Sequence, residues 1–331
     1  MARPPAKRRI MVGTILIALA VIAFGRFTLM RADLREAAIE VRHRNIGETV
    51  QVNGRDVHVI VQGEGPDLVL IHGAGGNARD FTAAFADGLT GRYRVFAVDR
   101  PGLGWSERID PAPNTAFTTA AETPIEQARH LSAAVQQLGA NDPIVLGHSY
   151  GAAVAMAWAL EEPAAGIVIV AGATMPWPGP LQRYYRVFGS LLGSAFGAPL
   201  VSAYVPDSRV ATAVESVFAP APVPPDYINT TAIMLGLRTD TFRTSARQVK
   251  ALRPNLVEMS PRYGNLSLPV EIIHGTADTT VRPEIHAVPL SEIIPEANLT
   301  LFEGVGHAPH HVAPLHVEAA IDRIATRAGL R

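Results

Sequence analysis

The chain has 331 residues with 48% hydrophobic and 18% charged side chains and a formal net charge of −1. That is enough to bury a sizeable core, and it leaves no basic surface of the kind nucleic-acid binding requires. Cysteine is absent, which excludes disulfides, thiolate metal sites and a cysteine nucleophile together.

At the N-terminus, Arg3, Lys7, Arg8 and Arg9 precede a run that is uncharged from Ile10 to Gly25 and turns apolar again at Phe27, just past Arg26. A basic flank before an apolar run marks a signal peptide or a signal anchor. The uncharged core falls slightly short of the ~20 residues that span a bilayer, but Arg26 can snorkel and let the helix run to about Met30. Residues 1–30 are therefore read as an uncleaved transmembrane anchor, with Ala23-Phe24-Gly25 as the alternative cleavage site of a secreted protein. Positive charge without acids at the extreme N-terminus favours its cytoplasmic side. The remainder then lies outside the inner membrane, in the periplasm. Residues 31–47 read as a polar connector.

From residue 48 the pattern changes. Residues 50–61 look like two strands joined at Asn53-Gly54, a two-residue hairpin signal. Buried-type strands then alternate with helical stretches: strands at 68–72, 94–99, 143–147 and 167–171, and helices at 78–90, 123–138 and 152–160, Thr123 serving as N-cap with Pro124 behind it. Continuous apolar strands in such alternation indicate an α/β fold, its sheet mostly parallel and covered on both faces by helices. The rhythm stops near Thr174 and resumes at Val270–Gly275 and Leu299–Phe302, with a closing helix over 314–327. Residues 48–175 and 267–331 thus form one α/β core, and residues 176–266, rich in proline and aromatics, an inserted helical cap. Trp177, Tyr184 and Tyr185 of the cap are candidates to line an apolar pocket beneath it.

Residues 147–151 read G-H-S-Y-G between a strand and a helix. This G-x-S-x-G pattern in that context holds a serine at a strained strand-to-helix corner. A serine hydroxyl needs a neighbouring base oriented by a carboxylate. Downstream, H-G-T-A-D places Asp278 in the loop after one strand, and F-E-G-V-G-H places His307 in the loop after the next. Both loops open at the carboxyl edge of the sheet, where ligand groups gather in parallel sheets. Ser149, Asp278 and His307 are the expected catalytic residues. The expected oxyanion donors are the backbone N–H groups of Tyr150 and of Ala74 in H-G-A-G-G-N (72–77). His148 and His274 read as hydrogen-bonded structural groups, with His148 and Trp105 also candidates for the pocket wall. His310 and His311 read as helix-start or rim residues. The spacing of His307, His310 and His311 would allow a metal, but no companion carboxylate cluster is apparent, and no metal or cofactor is implied.

Taken together, H-G-A-G-G, D-R-P-G-L-G-W-S (99–106), G-H-S-Y-G, H-G-T-A-D and G-V-G-H resemble the α/β-hydrolase superfamily over residues 48–327. The resemblance is to the lid-bearing branch that holds esterases, proline iminopeptidases, non-haem haloperoxidases, carbon–carbon-bond hydrolases and epoxide hydrolases. It implies a central sheet with a cap and a serine nucleophile. Epoxide hydrolases and haloalkane dehalogenases carry aspartate where this chain has Ser149, which argues against both activities. The expected function is hydrolysis of small to medium apolar carboxylic esters through an acyl-enzyme. The same residues also serve amide or peptide cleavage, lactone opening, acyl transfer or carbon–carbon cleavage, and a membrane-tethered binding module of negligible turnover is the alternative from another class. The expected partners are a small-molecule acyl substrate and, through the N-terminal helix, a membrane.

Overall fold

A computed structural model describes residues 6–110 and 116–331; Arg3 of the basic flank lies outside them. An eight-stranded sheet carries the strands β1 (Glu48–Val52), β2 (Arg55–Gln62), β3 (Asp67–Ile71), β4 (Arg94–Val98), β5 (Ile144–His148), β6 (Gly166–Val170), β7 (Val270–Gly275) and β8 (Ala297–Phe302), in the spatial order β1-β2-β4-β3-β5-β6-β7-β8. β2 is antiparallel to both of its neighbours, and the strands from β4 to β8 are parallel. The β1–β2 turn is Asn53-Gly54 with φ of 53° and 74°, the left-handed pair that a tight two-residue hairpin demands and that these two residue types tolerate.

Period-two alternation splits the strand side chains between two cores. Val69, Ile71, Val145, Ile167 and Ile169 face one side, packed with Leu131, Val154 and Trp158. Those three come from the helices α3 (Pro124–Gln137) and α4 (Tyr150–Glu161). Leu68, Leu70, Ile144, Leu146, Val168 and Val170 face the other, packed with Val317, Ile321 and Ile324 of the last helix, Pro314–Arg327. Each fully buried side chain of this size contributes roughly 1.5–3 kcal/mol, so the sheet and its two helical layers form a rigid base. α3 starts as expected: Thr123 Oγ1 accepts from Glu126 N and the Glu126 carboxylate accepts from Thr123 N, a reciprocal cap with Pro124 in the first turn.

Two stretches differ from the sequence-based expectation. Residues 78–90 do not form one helix: a single turn at Arg79–Thr82 is followed by a 3₁₀ turn at Phe85–Gly88, which lets both Phe81 and Phe85 enter the core. The N-terminal helix α1 (Ala6–Arg42) does not stop near residue 30 but continues through the expected connector. At ~1.5 Å per residue its 37 residues reach about 55 Å, well beyond a ~30 Å hydrocarbon core. Its segment from Ile10 is long and apolar enough to cross a membrane, and its most apolar stretch is unburied. The charged end is held by hydrogen bonds and an ion pair. Arg35 donates to the carbonyls of Ser202 (3.0 Å) and Val205 (2.6 Å), Glu36 accepts from Thr239 N (2.8 Å), and Glu40 pairs with Arg238 (2.9 Å). Those partners lie between β6 and β7, where the described chain is helical, with no strand, and packs over the strand ends.

Candidate active site

Strand register sets the site. Ile71 pairs with Gly147, His148 with Val170, Val170 with Ile273, and Gly275 with Phe302. The loops carrying His72, Ser149, Asp278 and His307 therefore leave the sheet at one level and on one edge. Ser149 sits at the β5–α4 corner with φ 54° and ψ −116°, a conformation that stores strain and that L-residues adopt only where the surroundings impose it. The two flanking glycines are a steric requirement. A Cβ on Gly147 would lie 2.3 Å from the Gly151 carbonyl oxygen, and one on Gly151 would lie 2.1 Å from that of Ile71.

His307 Nε2 is 2.9 Å from Ser149 Oγ, and its Nδ1 is 2.6 Å from Asp278 Oδ2. Because a carboxylate only accepts, Nδ1 carries the proton and Nε2 is left free to accept the serine's. The other Asp278 oxygen accepts from the amides of Thr280 (2.8 Å) and Val281 (2.9 Å). Burial alone would raise the Asp278 carboxyl. The hydrogen bonds from His274 and His307 outweigh it and hold the group well below the usual carboxylate range. His274 also reaches the Val281 carbonyl at 2.7 Å and so braces the loop that presents Asp278.

Ser149, Ala74 and Tyr150 share a cavity of about 440 Å³ whose walls include Trp177, Leu181, Tyr185, Val249 and Leu252. Tyr150 is the first residue of α4, so its backbone N–H has no partner within the helix. A second, more apolar cavity of about 600 Å³ shares Ala74 and Tyr185 with the first and extends under the helical insertion past Tyr184, Phe188 and Phe242. Of the expected pocket residues, Trp177 and Tyr185 therefore flank the serine and Tyr184 lies one compartment further on. His148 points away from the main cavity, its Nε2 bonded to the His307 carbonyl at 2.9 Å. Trp105 is not in the serine pocket at all. Asp99 accepts its amide at 2.7 Å and turns the loop outward, and Trp105 packs with Ile39, Ala232 and Leu237 under the Arg238 guanidinium, 5.2 Å from its ring centroid.

Arg100, which the sequence presents only as a letter of the D-R-P-G-L-G-W-S motif, is fully buried behind the site. Its guanidinium donates to the carbonyls of His72 and Gly73, each at 3.0 Å, and to the side-chain oxygens of Gln127 (3.0 Å) and Gln248 (2.9 Å), and it lies 4.2 Å from the Tyr150 ring centroid. It thereby fixes the peptide that leads into Ala74. A charged residue inside a D-R-P-G-L-G turn was the one available signal, and it is weak, because most such arginines face water.

Residues 68–321 match the sequence profile of the Alpha/beta hydrolase family, and the chain belongs to that family. An uncharacterised protein of Mycobacterium tuberculosis is 29% identical over 276 residues, 80% of this chain and 76% of that one. Among solved structures, an esterase from Exiguobacterium antarcticum superposes with a TM-score of 0.66 at 20% identity, covering 84% of this chain and 99% of its own. A membrane phospholipase A, described as a bacterial virulence factor, superposes with a TM-score of 0.62 at 20% identity. It covers 96% of this chain and 99% of its own, a span reached only by including part of α1.

Proposed function

We propose that the protein is a serine hydrolase of carboxylic esters with apolar acyl groups, held at a membrane by α1. The observation that carries this reading is the hydrogen-bonded series Asp278–His307–Ser149 at the mouth of an apolar cavity. Ser149 Oγ attacks the ester carbonyl carbon as its proton passes to His307 Nε2. The carbonyl oxygen becomes an oxyanion, held by the N–H groups of Ala74 and Tyr150 at roughly 3–4 kcal/mol per donor. His307 then gives the proton to the departing alkoxide, the carbon–oxygen bond breaks and the alcohol leaves. Water, deprotonated by His307, attacks the acyl-enzyme and releases the acid and free Ser149. Asp278 stays ionised throughout and stabilises the imidazolium.

The placement of α1 favours substrates that arrive from the bilayer. Phe24, inside the apolar run, stacks on Tyr204 of the insertion (ring centroids 6.4 Å, interplanar angle 3°). Leu191, Leu192, Phe196 and Leu200 are exposed on the same helical layer. The insertion over residues 176–266 acts as a cap whose apolar surface meets the membrane. A fluorophosphonate probe tests the nucleophile. Labelling of the wild type that is lost in Ser149→Ala supports this reading, and equal labelling of both removes it.

A further inference from the structure

Beside the triad, and using none of its three residues, lies a second cluster. Asp80 from the turn at Arg79–Thr82, His148 from the end of β5 and His310 from the short helix Pro309–Val312 converge in the protein interior. Asp80 is 7% exposed, His148 7% and His310 1%. Asp80 Oδ2 lies 3.5 Å from His310 Nε2 and 3.8 Å from His148 Nδ1, and one donor atom from each of the three residues falls within 4.8 Å of the others. The sequence showed no carboxylate near His310, because Asp80 is some 230 residues away and only the fold brings it there.

The proton positions leave the cluster short of a cation. His148 Nε2 contacts a carbonyl, which only accepts, so Nε2 carries the hydrogen and Nδ1 presents a bare lone pair. That lone pair faces the Asp80 carboxylate. Neither His148 Nδ1 nor His310 Nδ1 has a hydrogen-bond partner, and His310 Nε2 has only the long 3.5 Å approach to Asp80, although all are buried. Orphaned buried polar atoms are uncommon and each requires a cause. The surroundings have the form of a ligand-orienting shell. Asp80 Oδ1 accepts from Tyr227 Oη (2.7 Å) and His311 Nε2 (3.0 Å), which leaves Oδ2 directed at the two imidazoles. A histidine that gives its second N–H to a carbonyl is the usual posture of a metal ligand. Donors around a tetrahedral ion with ~2.1 Å bonds stand about 3.4 Å apart, close to the two distances from Asp80 Oδ2. A small cavity of about 150 Å³ is lined by Asp80, His148, Tyr227 and Ser149, so two of the three residues border open space at the catalytic edge.

We propose that Asp80, His148 and His310 form a binding site for one divalent transition ion of the zinc type, with the fourth position open to that small cavity. Two imidazoles and one carboxylate suit zinc or cobalt, whereas calcium and magnesium prefer all-oxygen cages. The bound ion would tie together the three loops that carry the oxyanion segment, the nucleophile and the base. The site stands or falls independently of ester hydrolysis.

The test is a cobalt(II) titration of the untagged, chelator-stripped full chain in detergent, followed by competition with zinc. The expected result is one equivalent of cobalt with the visible bands of a four-coordinate ion, bleached by zinc, together with a raised melting temperature. Asp80→Asn and His310→Ala should each abolish those bands, and Tyr227→Phe, which frees only Asp80 Oδ1, should weaken binding about 10- to 100-fold. His316→Ala, at an exposed histidine elsewhere, should change nothing. Two results would overturn the proposal: no stoichiometric cobalt spectrum from folded wild type, or a spectrum that survives in folded Asp80→Asn and His310→Ala. If those two variants fail to fold, Tyr227→Phe decides, and unchanged affinity in it also overturns the proposal.

Discussion

His307 reaches Ser149 across 158 residues of sequence, Nε2 to Oγ at 2.9 Å, with the hydrogen-bond polarity fixed by the carboxylate behind it. In Asp278→Asn the amide can present its N–H to His307 Nδ1, and the imidazole then takes the other tautomer, with its hydrogen on the nitrogen facing Ser149. Ester turnover is expected to fall by about 10³–10⁴-fold while substrate affinity changes little. Steady-state kinetics with kcat and KM resolved checks this, and a change confined to KM would contradict it.

Arg100 is expected to act as a positioning residue through the His72 and Gly73 carbonyls. Arg100→Met leaves both of these carbonyls, and the Gln127 and Gln248 oxygens, without their donor. Each buried acceptor left unsatisfied costs about 1–3 kcal/mol of stability. Arg100→Lys should rescue poorly, because one ammonium cannot span four acceptors that a planar fork reaches together. The sign of positioning is a fall in kcat larger than any rise in KM in whatever fraction stays folded, measured beside a denaturant titration.

Acid should destabilise the fold well above the range where carboxylates titrate. His72 donates from Nδ1 to the Gly73 carbonyl and accepts the Arg100 amide at Nε2, so a second proton has no place. Burial, reinforced by the Arg100 charge, lowers it to about 4. His286 accepts the Met175 amide and is lowered to about 4, chiefly by burial. Both folded values lie below the unfolded value near 6.5, so the unfolded chain takes up these protons first as pH falls. The stability is complete above pH ~6.5 and is lost progressively toward pH ~4, on the order of 3 kcal/mol per histidine. The depressed Asp278 carboxyl adds a further loss only below its unfolded value, near pH 4. Melting temperatures from pH 7.5 to 4.5 should decline, and more gently in His286→Gln, which keeps an acceptor for Met175. A flat wild-type profile would be the contrary result.

The docked end of α1 is expected to be part of the folded unit. A chain shortened to begin at residue 31 keeps Arg35, Glu36, Ile39 and Glu40 and should melt close to the full chain. One that begins at residue 48 uncovers the cluster of Ile39 with Met234 and Leu237 and removes the Glu36 carboxylate from the start of the helix at Thr239–Met259. It should lose at least about 2 kcal/mol, with early proteolysis inside residues 176–266. Equal stability of the two shortened chains would mean that the contacts of α1 carry no weight.

What the sequence disclosed was local or ordered along the chain. The Ser149 corner is legible because its strain and both glycines fall within five residues, and Asp278 and His307 because each follows an identifiable strand at the carboxyl edge. The relationships that escaped are distant ones. Residues 31–42 look like a connector because they are charged, and they are helical because Arg35, Glu36 and Glu40 find partners 166 to 203 positions away. Trp105 looks like a pocket aromatic until Asp99 turns its loop away from the serine. Asp80 carries no local mark at all, and only the tertiary fold sets it among His148, His310 and His311.

The most direct measurement is hydrolysis of p-nitrophenyl esters of increasing acyl length by the chain from residue 31, wild type against Ser149→Ala, without added metal. Turnover in the wild type that rises from acetyl to longer chains and falls to background in Ser149→Ala is the expected result. Turnover undiminished in Ser149→Ala, or none in a folded wild type at any acyl length, would contradict the assignment of Ser149 as the nucleophile of an ester hydrolase.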